Sequence, residues 1–159
     1  MVQQIQQELV VIIKELQPAS SAGKGFEQEL RDHAANWSRQ SGIAAEVDYR
    51  PGVNLTPEAE HAFLLIAREA LSNISRHGRA TRVAVIVRLN SDDTVTLMVE
   101  DNGVGFDAAK VNGGMGLRNM RERVESLPGG WFRVESEQGK GSRVTAGARA
   151  QRTAEVRHV

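Results

Sequence analysis

The chain contains no cysteine, which removes disulfides, thiolate zinc sites and cysteine nucleophiles from consideration. It also lacks an excess of either charge. Lys+Arg and Asp+Glu stand at 20 each, so no global field argues for a membrane surface, and no nucleic-acid partner is expected. No apolar run approaches the ~20 residues that cross a bilayer, and no signal peptide is visible. The expectation is a soluble, cytoplasmic chain. Low-complexity segments and internal repeats are missing as well. The four histidines, His33, His61, His77 and His158, have no ligand spacing, which speaks against a histidine metal site. What remains, at 159 residues, is one ordinary domain with a short appendage and enough chain for one substantial core.

Met1 to Gln17 reads as a helix. Val2, Ile5, Leu9, Ile12 and Leu16 recur at alternating spacings of three and four, the seam of a coiled coil or bundle. About two heptads are marginal alone in water, so this piece needs a partner, either its own domain or a second chain. Pro18 and the small residues from Ala19 to Gly25 read as a linker. Phe26 to Gln40 is predicted as a second helix with Phe26, Leu30, Ala34 and Trp37 on one side. His33, beside that stripe, reads as a rim or core residue rather than a catalytic one. Ile43, Ala45, Val47 and Tyr49 alternate as a strand, and Arg50-Pro51-Gly52 turns the chain.

Thr56-Pro57-Glu58 predicts a helix start: a capping hydroxyl, proline at the first helical position and an acid in the first turn. Ala59, Ala62, Phe63, Ile66, Ala67, Ala70, Leu71 and Ile74 then follow a period of 3.6. Glu69, Asn73 and His77 fall at i, i+4 and i+8. At about 100° per residue, Asn73 and His77 lie inside the apolar stripe and Glu69 at its edge. Polar groups there need partners. They either line a cleft or cap neighbouring backbone.

Arg82 to Leu89 is predicted as a strand, linked through Ser91-Asp92-Asp93 as a hairpin to a second strand. In that second strand Val95, Leu97 and Val99 alternate with polar neighbours, and Asp101 shares the parity of the valines. A carboxylate on the core face is costly unless something donates to it. Gly103 and Gly105 follow at once and permit close approach of a ligand to the backbone. Gly113, Gly114 and Gly116 lead into a helix from Met115 to Leu127, whose free amides and dipole can receive a phosphate. The stretch from Val95 to Leu117 therefore reads either as a nucleotide pocket or as a tight turn followed by a glycine-capped loop. Trp131 to Ser136 and Ser142 to Ala148 form a final hairpin, and Ala150 to Val159 is expected to fray. G-K-G-S at Gly139 to Ser142 lacks the glycine spacing of a P-loop and sits in a hairpin rather than between strand and helix.

In this order, E-A-L-S-N-I-S-R-H, D-N-G-V-G-F, G-M-G-L and E-S-E-Q-G-K-G-S-R-V resemble the asparagine box, the two glycine boxes and the last hairpin of the histidine-kinase ATPase domain. More distantly they resemble gyrase, heat-shock chaperone and mismatch-repair ATPases. The resemblance covers roughly Phe26 to Ala148. R-H-G-R-A and G-L-R-N-M-R-E-R-V are similar to the nitrate-sensor-type kinases, as is the short lid implied by Asp107 to Gly114. I-K-E-L-Q-P near the start resembles the end of the second helix of a dimerisation and phosphotransfer domain.

The resemblance implies an α/β two-layer sandwich, the Bergerat ATP-binding fold. A mixed, mostly antiparallel sheet of about five strands would be covered on one face by three helices. It implies residues 1–17 as a bundle remnant, 18–25 as linker, 26–149 as the ATPase domain and 150–159 as a flexible tail. For the site it implies that Asp101 accepts the adenine amine, while Gly103 and Gly105 let purine and ribose approach. Asn73 would bind Mg²⁺, and Glu69 would orient water or assist as a base. His77 would contact phosphate, and Gly114, Met115, Gly116 and Leu117 would form the phosphate end. Ser142 would reach the base through water. The γ-phosphoryl group of ATP would pass to a histidine on a dimerisation and phosphotransfer domain of the same kinase and then to a response regulator. The full-length protein is expected as a homodimer, with a membrane anchor left open. Two other readings stand beside this one: an anti-sigma-factor-type serine kinase and a non-catalytic ATP-sensing module.

Overall fold

A computed structural model describes residues 25–105 and 115–151. The predicted first helix and most of the linker lie outside those residues, as do Gly114 and all but the first two residues of the predicted tail. Helix α1 is Gly25–Ser41, followed by strand β1, Ala44–Tyr49, and helix α2, Pro57–Asn73. Strands β2, Arg82–Leu89, and β3, Thr94–Asp101, come next. Helix α3, Met115–Glu125, and strands β4, Trp131–Ser136, and β5, Ser142–Arg149, complete the described chain.

The five strands form one sheet in the order β1-β2-β3-β5-β4. β1 and β2 are parallel because α2 carries the chain back between them, whereas the other pairs are antiparallel. Three helices on a five-stranded mixed sheet are the expected two-layer arrangement. Thr56 caps α2 as its sequence predicts, its Oγ1 accepting from the Ala59 amide at 3.2 Å. The apolar stripe from Ala59 to Leu71 is buried, with Phe63, Ala67 and Leu71 fully so. It packs on the inward residues Val83, Val85 and Val87 of β2 and Val95, Leu97 and Val99 of β3. Removing the Phe63 ring from such a position costs on the order of 3–5 kcal/mol, so α2 is fixed to the sheet firmly enough to position a site at its end.

On β5 the alternation expected of a hairpin strand does not hold, since Val144 to Ala148 are all buried. The outward position Gly147 lies opposite Trp131 on β4, and a Cβ there would meet the indole, with Cζ2 at 2.9 Å. The tryptophan folds over the sheet and covers the strand from outside. Edge strand β1 is protected differently, Arg31 of α1 donating to the Val47 carbonyl at 3.2 Å. His33 is half-buried, and burial, reinforced by the Arg68 guanidinium, lowers its pKa below the usual 6.5. Its half-buried place on α1 is in keeping with the rim-or-core expectation.

The end of α2 departs from the expected geometry. Ile74–Gly78 is a π-helical turn, and Arg79 follows in the left-handed region at φ 48°. A π turn is wider than an α turn. The row of Glu69, Asn73 and His77 therefore ends at Asn73: Glu69 and Asn73 are half-buried, while His77 is exposed. The expectation that His77 lies inside the apolar stripe is corrected, because the 3.6 period stops four residues before it.

Candidate active site

The chain leaves α2, passes through the π turn and enters β2 at Arg82. Val83 pairs with Asp101, so the end of α2 and the end of β3 lie at the same end of the sheet. Asp101 is half-buried there. Its Oδ1 accepts from the Gly103 amide at 2.8 Å, and its Oδ2 accepts a short bond from the Ser142 hydroxyl on the adjacent strand. These are the donors a carboxylate on the core face requires. Each oxygen keeps a further lone pair for a ligand N–H. Ser142, expected to act through water, is joined to Asp101 directly.

The turn after Asp101 is stapled from both sides. Asn102 Oδ1 accepts from the amides of Thr81 and Arg82, each at 3.0 Å, and its Nδ2 donates to Thr81 Oγ1 at 2.9 Å. On the other side Gly139 donates to the Val104 carbonyl at 2.5 Å. Gly105, at φ +70°, has its missing Cβ aimed at the hairpin carbonyls, with Gly141 O at 2.8 Å. Gly141, at φ +82°, would in turn drive a Cβ into the Asp101 carbonyl. Two backbones are in contact here, and both positions need glycine for that reason. Asn102→Ala is expected to lower stability by about 1–2 kcal/mol, since each bond contributes roughly 0.5–1.5 kcal/mol net and the site is solvated. Asn102→Asp, which keeps the acceptor, should lose less. An unchanged urea midpoint for Asn102→Ala would show that the clamp is dispensable.

A second cluster gathers where α2 meets α3. A Cβ on Gly116 would collide with the Glu69 carboxylate, whose Cδ lies 2.9 Å away. The glycine thus lets that carboxylate reach the first turn of α3, where backbone amides lack helical partners. Leu117 is half-buried against the core, and Met115 opens the helix. Arg76 Nη2 donates to Asn73 Oδ1 at 2.6 Å and lies 3.6 Å from Glu69 Oε2. Among the described residues no group of three or more His, Asp or Glu side chains could hold a metal. The donor set of one amide oxygen and one carboxylate fits a magnesium ion carried on phosphates, which keeps few protein ligands. It does not fit a dedicated cage.

A hollow of about 750 Å³ opens beside Asp101, Asn102 and Ser142, and it extends past Glu46, Glu100 and Arg143 on the opposite face of the sheet. Glu69 and Asn73 do not line it, so it touches only the Asp101 end of the candidate site. The position of the site rests on the bonds to Asp101 and on the α2–α3 contact rather than on this hollow.

Residues 58–152 match the model of the histidine kinase-, DNA gyrase B- and HSP90-like ATPases. The chain belongs to that ATPase family. The sensor histidine kinase LiaS of Bacillus subtilis is 31% identical over 140 residues, covering 87% of this chain and 38% of LiaS. The nitrate/nitrite sensor protein NarX of Escherichia coli is 36% identical over 107 residues, 66% of this chain and 18% of NarX. Among solved structures, the histidine kinase domain of the Erythrobacter litoralis EL346 blue-light activated kinase superposes with a TM-score of 0.65 at 25% identity, covering 76% of this chain and 59% of that one. The chain thus spans well under half the length of these two sensor kinases. As a member of the ATPase family it carries an ATP-binding domain of the histidine kinase type. No described helix is long and apolar enough to cross a membrane.

Of the expected site residues, Gly103 and Ser142 are both brought onto Asp101, and Glu69, Asn73 and Gly116 form the second group through Arg76 and the helix junction. Gly105 faces the hairpin, His77 faces solvent, and Gly114 lies outside the described residues. Arg76, Asn102 and Gly141 were not among the expectations. Arg76 follows Asn73 by three positions and Glu69 by seven, a spacing that places a cation over both on a helix.

Proposed function

We propose that this chain is the catalytic domain of a sensor histidine kinase that binds Mg-ATP and passes the γ-phosphoryl group to a histidine on a dimerisation and phosphotransfer domain. The observation that carries this reading is the oriented Asp101 carboxylate, held by Gly103 and Ser142, at the same sheet end as the Glu69–Asn73 pair. Asp101 accepts the exocyclic amine of adenine, which guanine lacks at that position. The amides of Gly116 and Leu117 at the start of α3 face the phosphates, and exposed His77 supplies a further contact. A magnesium ion on the phosphates would neutralise charge that builds up as the bond to the γ-phosphorus breaks. Asn73 offers that ion an oxygen. Glu69 takes the imidazole proton as the histidine nitrogen bonds to phosphorus and ADP departs. An aspartate of a response regulator then receives the group, and the full-length kinase acts as a homodimer.

None of the four histidines is followed by an acidic residue, and His33 packs within the ATPase domain. With radiolabelled ATP the chain alone should give no acid-labile, base-stable label. Label should appear on a separately supplied dimerisation and phosphotransfer domain. It should appear slowly, because tethering normally supplies a high effective concentration. Stable labelling of the lone chain that vanishes in His33→Ala would overturn this reading, and labelling of a serine-bearing partner would replace it with an anti-sigma-type kinase.

A further inference from the structure

The guanidinium of Arg76 occupies the place where the metal reading puts a cation. A single nitrogen, Nη2, sits 2.6 Å from Asn73 Oδ1 and 3.6 Å from Glu69 Oε2, and Nε lies 3.4 Å from the Ser72 carbonyl. Asn73 has one side-chain acceptor, its amide oxygen, and that is the atom a hard divalent ion would use. Arg76 lies in the π turn Ile74–Gly78, which follows the last α-helical residue, Asn73. We propose that Arg76 is a tethered competitor of the metal: it holds the Asn73–Glu69 pair without nucleotide and must leave Asn73 for magnesium to bind. This rests on the Mg-ATP reading above.

The physics favours exchange rather than coexistence. A guanidinium and a divalent ion on one amide oxygen would stand a few ångströms apart as like charges, and water between them is excluded by their common ligand. The Arg76 side chain is 57% exposed, so it can swing into solvent without unpacking the core. The same exposure limits the size of the effect to that of a screened surface contact. Glu69 keeps a cation beside it in both states, so its carboxylate is never left uncompensated at the junction with Gly116. Arg76 is in this sense a positioning residue, acting on the ligand set rather than on the reacting atoms.

The test is the magnesium dependence of ATP affinity, measured by titration calorimetry at a series of free Mg²⁺ concentrations. Arg76→Ala is expected to lower the Mg²⁺ concentration at half effect by about two- to fivefold, the span an exposed charged contact allows. Arg76→Gln keeps length and a donor but not charge and should behave like Arg76→Ala, whereas Arg76→Lys should stay near the wild type. An unchanged or raised half-effect concentration in Arg76→Ala, with an unchanged melting temperature, would overturn the inference alone. If wild-type ATP affinity shows no magnesium dependence at all, the metal reading of Asn73 falls with it.

Discussion

Asp101→Ala is expected to weaken ADP and ATP about ten- to a hundredfold while the domain still folds. The bond lost is one from a ligand N–H to an ionised carboxylate, worth roughly 1.5–3 kcal/mol, and about 1.4 kcal/mol is tenfold in affinity. Alanine also frees the Gly103 amide and the Ser142 hydroxyl, so a loosened turn could mimic a lost base contact. Asp101→Asn separates the two causes. It retains one acceptor for Gly103, and the Ser142 hydroxyl can turn to accept from its NH₂, but that NH₂ meets the adenine amine donor against donor. Asn should therefore bind adenine nucleotides almost as poorly as Ala while melting close to the wild type. Ser142→Ala removes only a partner of Asp101 and should cost a few-fold. Calorimetric titration of the three variants with ADP decides the matter, and unchanged affinity in Asp101→Ala would remove the adenine assignment.

The parts of the molecule that could be read in the sequence are those governed by a repeat. The stripe of α2 and the alternation of β2 and β3 each place a row of apolar side chains on one face, and burial follows that row closely. Thr56 is legible as a cap because its hydroxyl needs only the amide three residues on. Parity placed Asp101 toward the core, and the structure adds the donors that make this tolerable. What the sequence hid depends on contacts between distant segments. Nothing local says that Gly141 must be bare; the Asp101 carbonyl behind it does. Nothing local buries Gly147 on the outer face of β5; Trp131 across the hairpin does. The π turn after Asn73 is a third case. A helical wheel carries the α period through His77, and only the tertiary path into β2 shows that the period ends earlier. Arg76, which served as part of a family marker in the sequence, lies in that turn and carries its charge onto Asn73.

Asn73→Ala should abolish most of the magnesium dependence of ATP binding and reduce transfer to a supplied phosphotransfer domain by a hundredfold or more. Asn73 closes α2 and is half-buried, and the only described hydrogen bond to its oxygen comes from Arg76. Replacing it by alanine breaks no core contact, so stability should change by less than about 1 kcal/mol. Loss of function then cannot be assigned to unfolding. Without the amide oxygen the ion would keep only the Glu69 carboxylate from this chain, and the placement on which in-line transfer depends would be lost. The two readouts should part in Asn73→Asp. A carboxylate can still bind magnesium, but it pairs more strongly with Arg76, so the half-effect Mg²⁺ concentration should rise rather than the dependence vanish. Adding Arg76→Ala to Asn73→Asp should then bring that concentration back down. Transfer at the original rate in Asn73→Ala would make the residue structural and leave the metal to be held by other groups.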